Sequence, residues 1–426
     1  MNTRRWRFLL LALGLLALLA VLLLAVPPVK QRVAYLPRYL QTQLNRLRPT
    51  PVIPTPPAGS AYSPEELLAT RPVPTPTLIP TPIPSRTPPP IQPLTPSPVP
   101  TATPSATPTP TPFPVTPAGA GVTLSGFTHA WQTWNNCGPT TISMNLSYFG
   151  ATTTQAEAAL LLKPNRDDKN VSPDELAAYA RAQGYLALAQ LGGDVTLLQT
   201  LLSNGLPVIV ETWLDPEDRG GLGHYRLLSG YDRATNSFIA QDSLHGPDQR
   251  VDIAGFDPLW QVFNRKYVLV YRPEQAELVA AILGPAGDTP TMLANALAVA
   301  QGEAQADPAN PYAWFNIGSG YTALGEMAQA ASAFDEARRL GLPFRMLWYQ
   351  FEPFAAYEAV GRYQDVLDLA NPTLQATGGL EEVYYYRGLA RQALGDPAGA
   401  AADFRAALEY NPLFQPAAAA LQALDN

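Results

Sequence analysis

Trp131–Gly150 reads WQTWNNCGPTTISMNLSYFG and holds the only cysteine of the chain. Gly138 gives the backbone clearance after it. Pro139 suits a first helical turn, where the missing N–H would have no partner in any case. Ile142, Leu146 and Phe149 continue an apolar helical stripe that Gly150 can end, so the spacing predicts a helix over Pro139–Phe149 with Cys137 at its mouth. A free thiol titrates near ~8.5, and the unpaired N–H groups of a helix start favour its thiolate. The competing reading of a lone cysteine before a helix is a small packed core residue.

A nucleophilic thiol needs a base. GHYRLLSGYDRATNSFIAQDS (Gly223–Ser243) reads as a hairpin, with strands over His224–Gly230 and Ser237–Gln241 and a turn over Asp232–Asn236. Antiparallel pairing brings the start of one strand near the end of the next. His224 is thereby a candidate base and Asp242 a candidate partner for its second ring nitrogen. Gln132, five residues before Cys137, is placed to offer an amide N–H to a developing oxyanion. Asp232 competes as the orienting carboxylate but reads as turn chemistry. His129 is expected in a surface loop, and His245 in a loop that borders the cleft. Trp131, Trp134 and Trp213 are candidates for a groove floor, against a core or rim position.

QTWNNCGPTT, GHYRLLSGYD and FIAQDS together resemble the C39-like cysteine peptidases of the papain-like superfamily. The resemblance covers Gly119–Pro273 and implies Cys137 as nucleophile, His224 as base, Asp242 as orienter and Gln132 in the oxyanion hole, with no cofactor. Ser243 stands where that family often has proline. Members fused to exporters cut leader peptides after double glycine; this chain has no transporter segment, so that substrate is not carried over. The implied fold is α+β, with helices at Pro139–Phe149, Thr154–Leu162 and Pro173–Gln183 followed by strands at Leu206–Leu214, the hairpin, and Lys266–Pro273. Peptide or protein substrates follow, cleaved through an acyl-thioester. A peptide-binding scaffold without cleavage is the alternative from a different class, and acyl transfer to an amine is not separable from hydrolysis.

From about Glu274 onward the chain is helical and periodic. In PYAWFNIGSGYTALGEMAQAASAFDEARRLGLP, Trp314, Gly318, Tyr321, Ala330, Phe334 and Ala337 sit where the ~34-residue tetratricopeptide pattern places them. Gly325, Gly361 and Gly395 mark turns 36 and 34 residues apart. The resemblance implies stacked helix pairs over 274–426, with a protein partner or substrate docked on them or, alternatively, simple support of the neighbouring domain.

The first 118 residues are of another kind. Phe8–Val26 is an uninterrupted apolar run, long enough to cross a ~30 Å hydrocarbon core as a helix. Leu24-Ala25-Val26-Pro27 is a poor cleavage site, so an uncleaved anchor over residues 1–30 is expected. Arg4, Arg5 and Arg7 argue for a cytoplasmic N-terminus, and Lys30 and Arg32 against it; the short basic tail favours the bulk of the chain outside the cell. Residues 31–118 read as a juxtamembrane segment and Pro/Thr-rich spacer, disordered and extended, because more than half of the 46 prolines fall between Pro49 and Pro117. A net charge of −7 gives no sign of nucleic-acid binding, and one cysteine with three histidines offers no thiolate-rich or H-E-x-x-H metal site.

Overall fold

A computed structural model describes residues 52–57, 59–69, 113–165, 167–214 and 221–424. The expected membrane anchor lies outside the described residues. Among those described, no helix is long and apolar enough to cross a membrane.

The first domain is built on a seven-stranded antiparallel sheet ordered β2-β7-β3-β4-β5-β6, with β1 added beside β4. The strands are β1 (Gly121–Thr123), β2 (Leu186–Gln190), β3 (Val208–Leu214), β4 (Leu222–Asp232), β5 (Ser237–Asp242), β6 (Gly246–Asp252) and β7 (Tyr267–Tyr271). Both faces are covered, which is why the central strands read as continuous apolar runs. Val268 and Val270 of β7 pack with α2 (Cys137–Tyr148), α3 (Gln155–Leu162) and α4 (Pro173–Ala182). Tyr267, Leu269 and Tyr271 point the other way, onto α5 (Val195–Ser203), α6 (Ile253–Gln261) and α7 (Ala276–Leu283). The order is not helices first and strands afterwards. β2 and α5 precede β3, and α6 intervenes before β7, because helices are needed on both sheet faces.

The second region stacks α8 (Thr289–Ala306), α9 (Pro311–Ala323), α10 (Met327–Leu340), α11 (Glu352–Ala359), α12 (Tyr363–Thr377), α13 (Glu381–Ala393), α14 (Pro397–Tyr410) and α15 (Gln415–Leu424). Two glycines show why the repeat pattern needs small residues at fixed places. A Cβ on Gly318 would lie 2.6 Å from the Phe334 ring, and one on Gly388 2.5 Å from Phe404. Each first helix can approach its second only where the side chain is absent.

Two features depart from the expected layout. The spacer reading fails for residues 52–69: Ile53 and Leu67 are buried in the repeat core, and α1 (Pro64–Leu68) carries a capping box between Ser63 and Glu66. Isolated, so short a helix would not persist. Here it is held by Gln301 Nε2 donating to Leu67 O (2.8 Å) and Ser60 Oγ donating to Asp335 Oδ2 (2.9 Å), while Arg338 Nε donates to Pro54 O (3.0 Å). Second, the repeats do not stand apart. Trp213, Val262 and Phe263 of the sheet domain share one buried cluster with Trp314, Phe315 and Met346. Asn316 Nδ2 donates to Gln261 O (2.8 Å), Gln350 Nε2 to Val262 O (3.0 Å), and Asn170 Nδ2 to Glu382 Oε1 (3.1 Å). The first helices of successive pairs, α9, α11 and α13, thus face the sheet domain.

Candidate active site

Cys137 is the first residue of α2, two positions earlier than the apolar pattern suggested. The N-cap residue Asn136 makes no side-chain cap; its amide instead donates to Gln155 Oε1 at 2.9 Å. That oxygen also accepts from Thr133 N (2.9 Å) and Thr140 Oγ1 (3.0 Å), while Gln155 Nε2 donates to Trp131 O (2.7 Å). One half-buried amide therefore ties the 131–136 loop to the start of α2 and fixes where the thiol sits.

His224 lies on β4, where Thr212 of β3 is its cross-strand partner. His224 and Arg226, two residues apart, share a face of the strand. Pairing of Leu227 with Gln241 carries both toward the end of β5, where Asp242 waits. His224 Nε2 meets Asp242 Oδ1 at 2.9 Å, and Arg226 Nε donates to Asp242 Oδ2 at 3.1 Å. With Nε2 occupied, the other ring nitrogen is the one left for Cys137, and the two groups favour each other's charged forms.

Asp242 is only 1 % exposed and accepts five hydrogen bonds. Besides His224 and Arg226, these come from the Leu244 N–H (2.8 Å), the His245 N–H (3.0 Å) and His245 Nδ1 (3.0 Å). Burial alone would raise its pKa, but the bonds and charges of the two histidines hold this carboxyl far below the usual carboxylate range. The ionised carboxylate in turn overcomes the burial penalty on His224, and with the sulfur lifts that imidazole to about 9. Burial works against a thiolate at Cys137. The His224 hydrogen bond and charge, helped by the Tyr225 N–H and Lys163, nonetheless bring the thiol below its ordinary value.

Gln132 is brought to the same corner. Its N–H donates to Ser243 O (2.9 Å), and its Oε1 accepts from Ser243 Oγ (2.7 Å), which orients the amide plane. The residue that breaks the family's usual Asp-Pro pairing is thus the one that anchors Gln132. His245 is more than a loop residue: its ring stands edge-on to that of His224, 6.3 Å between centroids. Asp232 is turn chemistry, accepting from Ala234 N (3.0 Å) and Thr235 Oγ1 (2.9 Å). His129 corrects the surface-loop expectation, being half-buried against Trp131 with neither ring nitrogen hydrogen-bonded. Trp213 is core, buried between Phe263 and Tyr349, and floors no groove.

Sequence reasoning missed Arg226 and Gln155, and named His245 without its bond to Asp242. It also missed Glu211 on β3, a buried carboxyl that desolvation pushes up to about 8, lining the cleft beside Cys137. Ligand atoms of His224, Asp242 and His245 lie within 4.8 Å of one another, a group that could hold a cation. Asp242 there already serves Arg226 and two backbone N–H groups.

Residues 125–268, about a third of the chain, match the family described as Peptidase_C39 like family, and residues 381–414 match the tetratricopeptide repeat. The chain thus carries a C39-like peptidase domain with an antiparallel sheet, followed by a helical repeat region. Among solved structures, a C39-like peptidase from Bacillus anthracis is 19% identical over 36% of this chain and 98% of its own, with a TM-score of 0.31. The peptidase domain of Streptococcus ComA, a bi-functional ABC transporter of a quorum-sensing pathway, is 18% identical over 35% and 99%, TM-score 0.29. A double glycine motif protease from an AMS/PCAT transporter, solved with its leader peptide, is 17% identical over 34% and 89%, TM-score 0.25. None of the curated proteins matches the chain.

Proposed function

We propose that this protein is a thiol hydrolase that cleaves peptide or related amide bonds, with Cys137, His224, Asp242 and Gln132 as its working set. The observation that carries this reading is the buried line from Asp242 through His224 to Cys137. A structural cysteine has no use for an imidazole that is itself held by a carboxylate.

The steps follow from that line. The Cys137 thiolate attacks the scissile carbonyl, forming a C–S bond and an oxyanion that the Gln132 amide and the Cys137 backbone N–H receive. As the C–N bond breaks, the His224 imidazolium gives its proton to the leaving amine, which departs neutral. His224, now neutral, takes a proton from water as the hydroxide adds to the thioester carbonyl. Collapse releases the acid, and the thiolate–imidazolium pair is restored. Asp242 keeps the ring in place and stabilises its charged form without itself taking the proton.

In the cell, the Phe8–Val26 run would tether this hydrolase to a membrane with its folded part outside. The test is iodoacetamide alkylation of the full chain across pH, with Cys137→Ala as the blank. The wild-type thiol should react at pH 6, well below the ~8.5 of a free cysteine, and His224→Ala should return it to that ordinary value. Equal profiles for wild type and His224→Ala would leave a peptide-binding scaffold as the better description.

A further inference from the structure

The cleft beside Cys137 is narrow, with a cavity volume of about 20 Å³. Most of its lining comes from the peptidase domain: Cys137 and Gly138, Val171, Gly223 with Tyr225, and the charged groups of Lys163, Lys169 and Glu211. A further wall is Tyr349, which follows the 3-10 turn Phe344–Trp348 of the repeat region. We propose that the repeats complete the substrate cleft, and that Tyr349 is a specificity-determining residue which turns bulky substrate side chains away from the Cys137–His224 pair.

The geometry makes Tyr349 a fixed wall rather than a passing contact. Its ring packs edge-on against Trp213 at 6.2 Å between centroids and against Phe263 at the same distance. A Cβ on Gly223 would lie 3.1 Å from the Tyr349 ring, so strand and ring are already in contact across a position that has no side chain. The same turn sends Arg345 to Gly221, Nη1 donating to its carbonyl at 2.8 Å. Two residues of the repeat region therefore hold the strand edge that presents the base. Both belong to the repeat region, so this wall belongs to the junction between the two regions. The opposite side of the cleft is equally unyielding, since a Cβ on Gly138 would lie 3.2 Å from Val171. A substrate side chain larger than a methyl or two has to displace one of these groups.

This inference rests on the thiol-hydrolase reading for its biological meaning, but its readout does not. The probes are iodoacetamide, which is small, and N-benzyloxycarbonyl-phenylalanine chloromethyl ketone, which is bulky. Both are timed on the full chain at pH 9, where an unassisted thiol is also substantially ionised. Tyr349→Ala should raise the bulky-to-small rate ratio by about 10-fold or more, the scale on which a pocket wall discriminates side chains, while Tyr349→Phe keeps the ring and stays within about 2-fold of wild type. Tyr349→Leu supplies the same readout if the alanine variant does not fold. An unchanged ratio in a folded Tyr349→Ala or Tyr349→Leu protein overturns the wall. Failure of the hydrolase reading would show separately, as the absence of reactivity at pH 6 with the ratio still shifted.

Discussion

Replacing Asp242 with asparagine tests the electrostatics of the site most directly. The side chain keeps its shape and one carbonyl oxygen for the Leu244 and His245 N–H groups, but its charge is gone. In the folded protein His224 titrates at about 9 against 6.5 for a free imidazole, a difference of about 2.5 units. At 1.36 kcal/mol per pH unit this corresponds to roughly 3 kcal/mol favouring the imidazolium, net of a burial penalty that opposes it. Asp242 and Cys137 supply that preference between them, so losing one should lower the His224 pKa by roughly 1–2 units. The sign is fixed: a raised histidine pKa means the charged pair persists up to about 9 in wild type and ends at lower pH in the variant. Iodoacetamide alkylation should therefore fall by about 2–10-fold near pH 8 in Asp242→Asn, where the variant imidazole has lost its proton and the wild-type one has not, and converge with wild type near pH 10. The accompanying loss of melting temperature should be largest below pH 6.5 and shrink as the pH passes 9, where wild-type His224 is neutral as well. Superimposable alkylation profiles would refute the assignment of Asp242 as the group that charges His224.

Glu211 gives the opposite pH signature. Its folded pKa of about 8 against 4.5 means that the fold binds a proton there, so stability drains away as pH rises from 4.5 through 8. Glu211→Gln, which mimics the neutral form, should be no more stable than wild type at pH 4 and more stable at pH 9. The gain is capped at about 5 kcal/mol, 3.5 units at 1.36 each, and urea melts at the two pH values measure it. For the docked segment, Leu67→Asp forfeits the burial of a leucine that is 1 % exposed, worth roughly 1.5–3 kcal/mol. Limited proteolysis should then cut within residues 52–69 in the variant and spare them in wild type; equal cutting would show that the segment is not held by that side chain.

The residues of the candidate site were legible because the signals that mark them are local. A Cys-Gly-Pro at a helix start, a histidine opening one strand and an aspartate closing the next can each be read within ten residues. The turn at Asp232–Asn236 fixes the register that joins the last two. Arg226 and His245 were not legible as partners of Asp242, since both depend on which face of a strand or loop points inward. Gln155 sits in an ordinary-looking capped helix, and only tertiary packing turns its amide toward the 131–136 loop. The repeat glycines were readable because each lack of a side chain has its own aromatic partner sixteen residues on, Phe334 for Gly318 and Phe404 for Gly388. The contact of the repeats with the cleft was invisible for the converse reason. Tyr349 follows the 3-10 turn Phe344–Trp348, where no repeat pattern marks it, and its neighbours Trp213 and Gly223 lie more than 120 positions away.

The ordered stretch at 52–69 changes what the proline-rich run can do. Leu68 accepts from Gln305 of the repeats (3.1 Å), and Thr116 N donates to Asn204 Oδ1 of the peptidase domain (2.9 Å). The chain between them leaves and rejoins a single packed body. Whatever its own length, a tether that starts and finishes on the same object adds nothing to the distance between that object and a surface. Under the proposed anchoring through Phe8–Val26, reach is therefore measured from Val52 back toward the N-terminus, and lengthening or shortening the Thr-Pro tract should leave the height of the cleft above a bilayer unchanged.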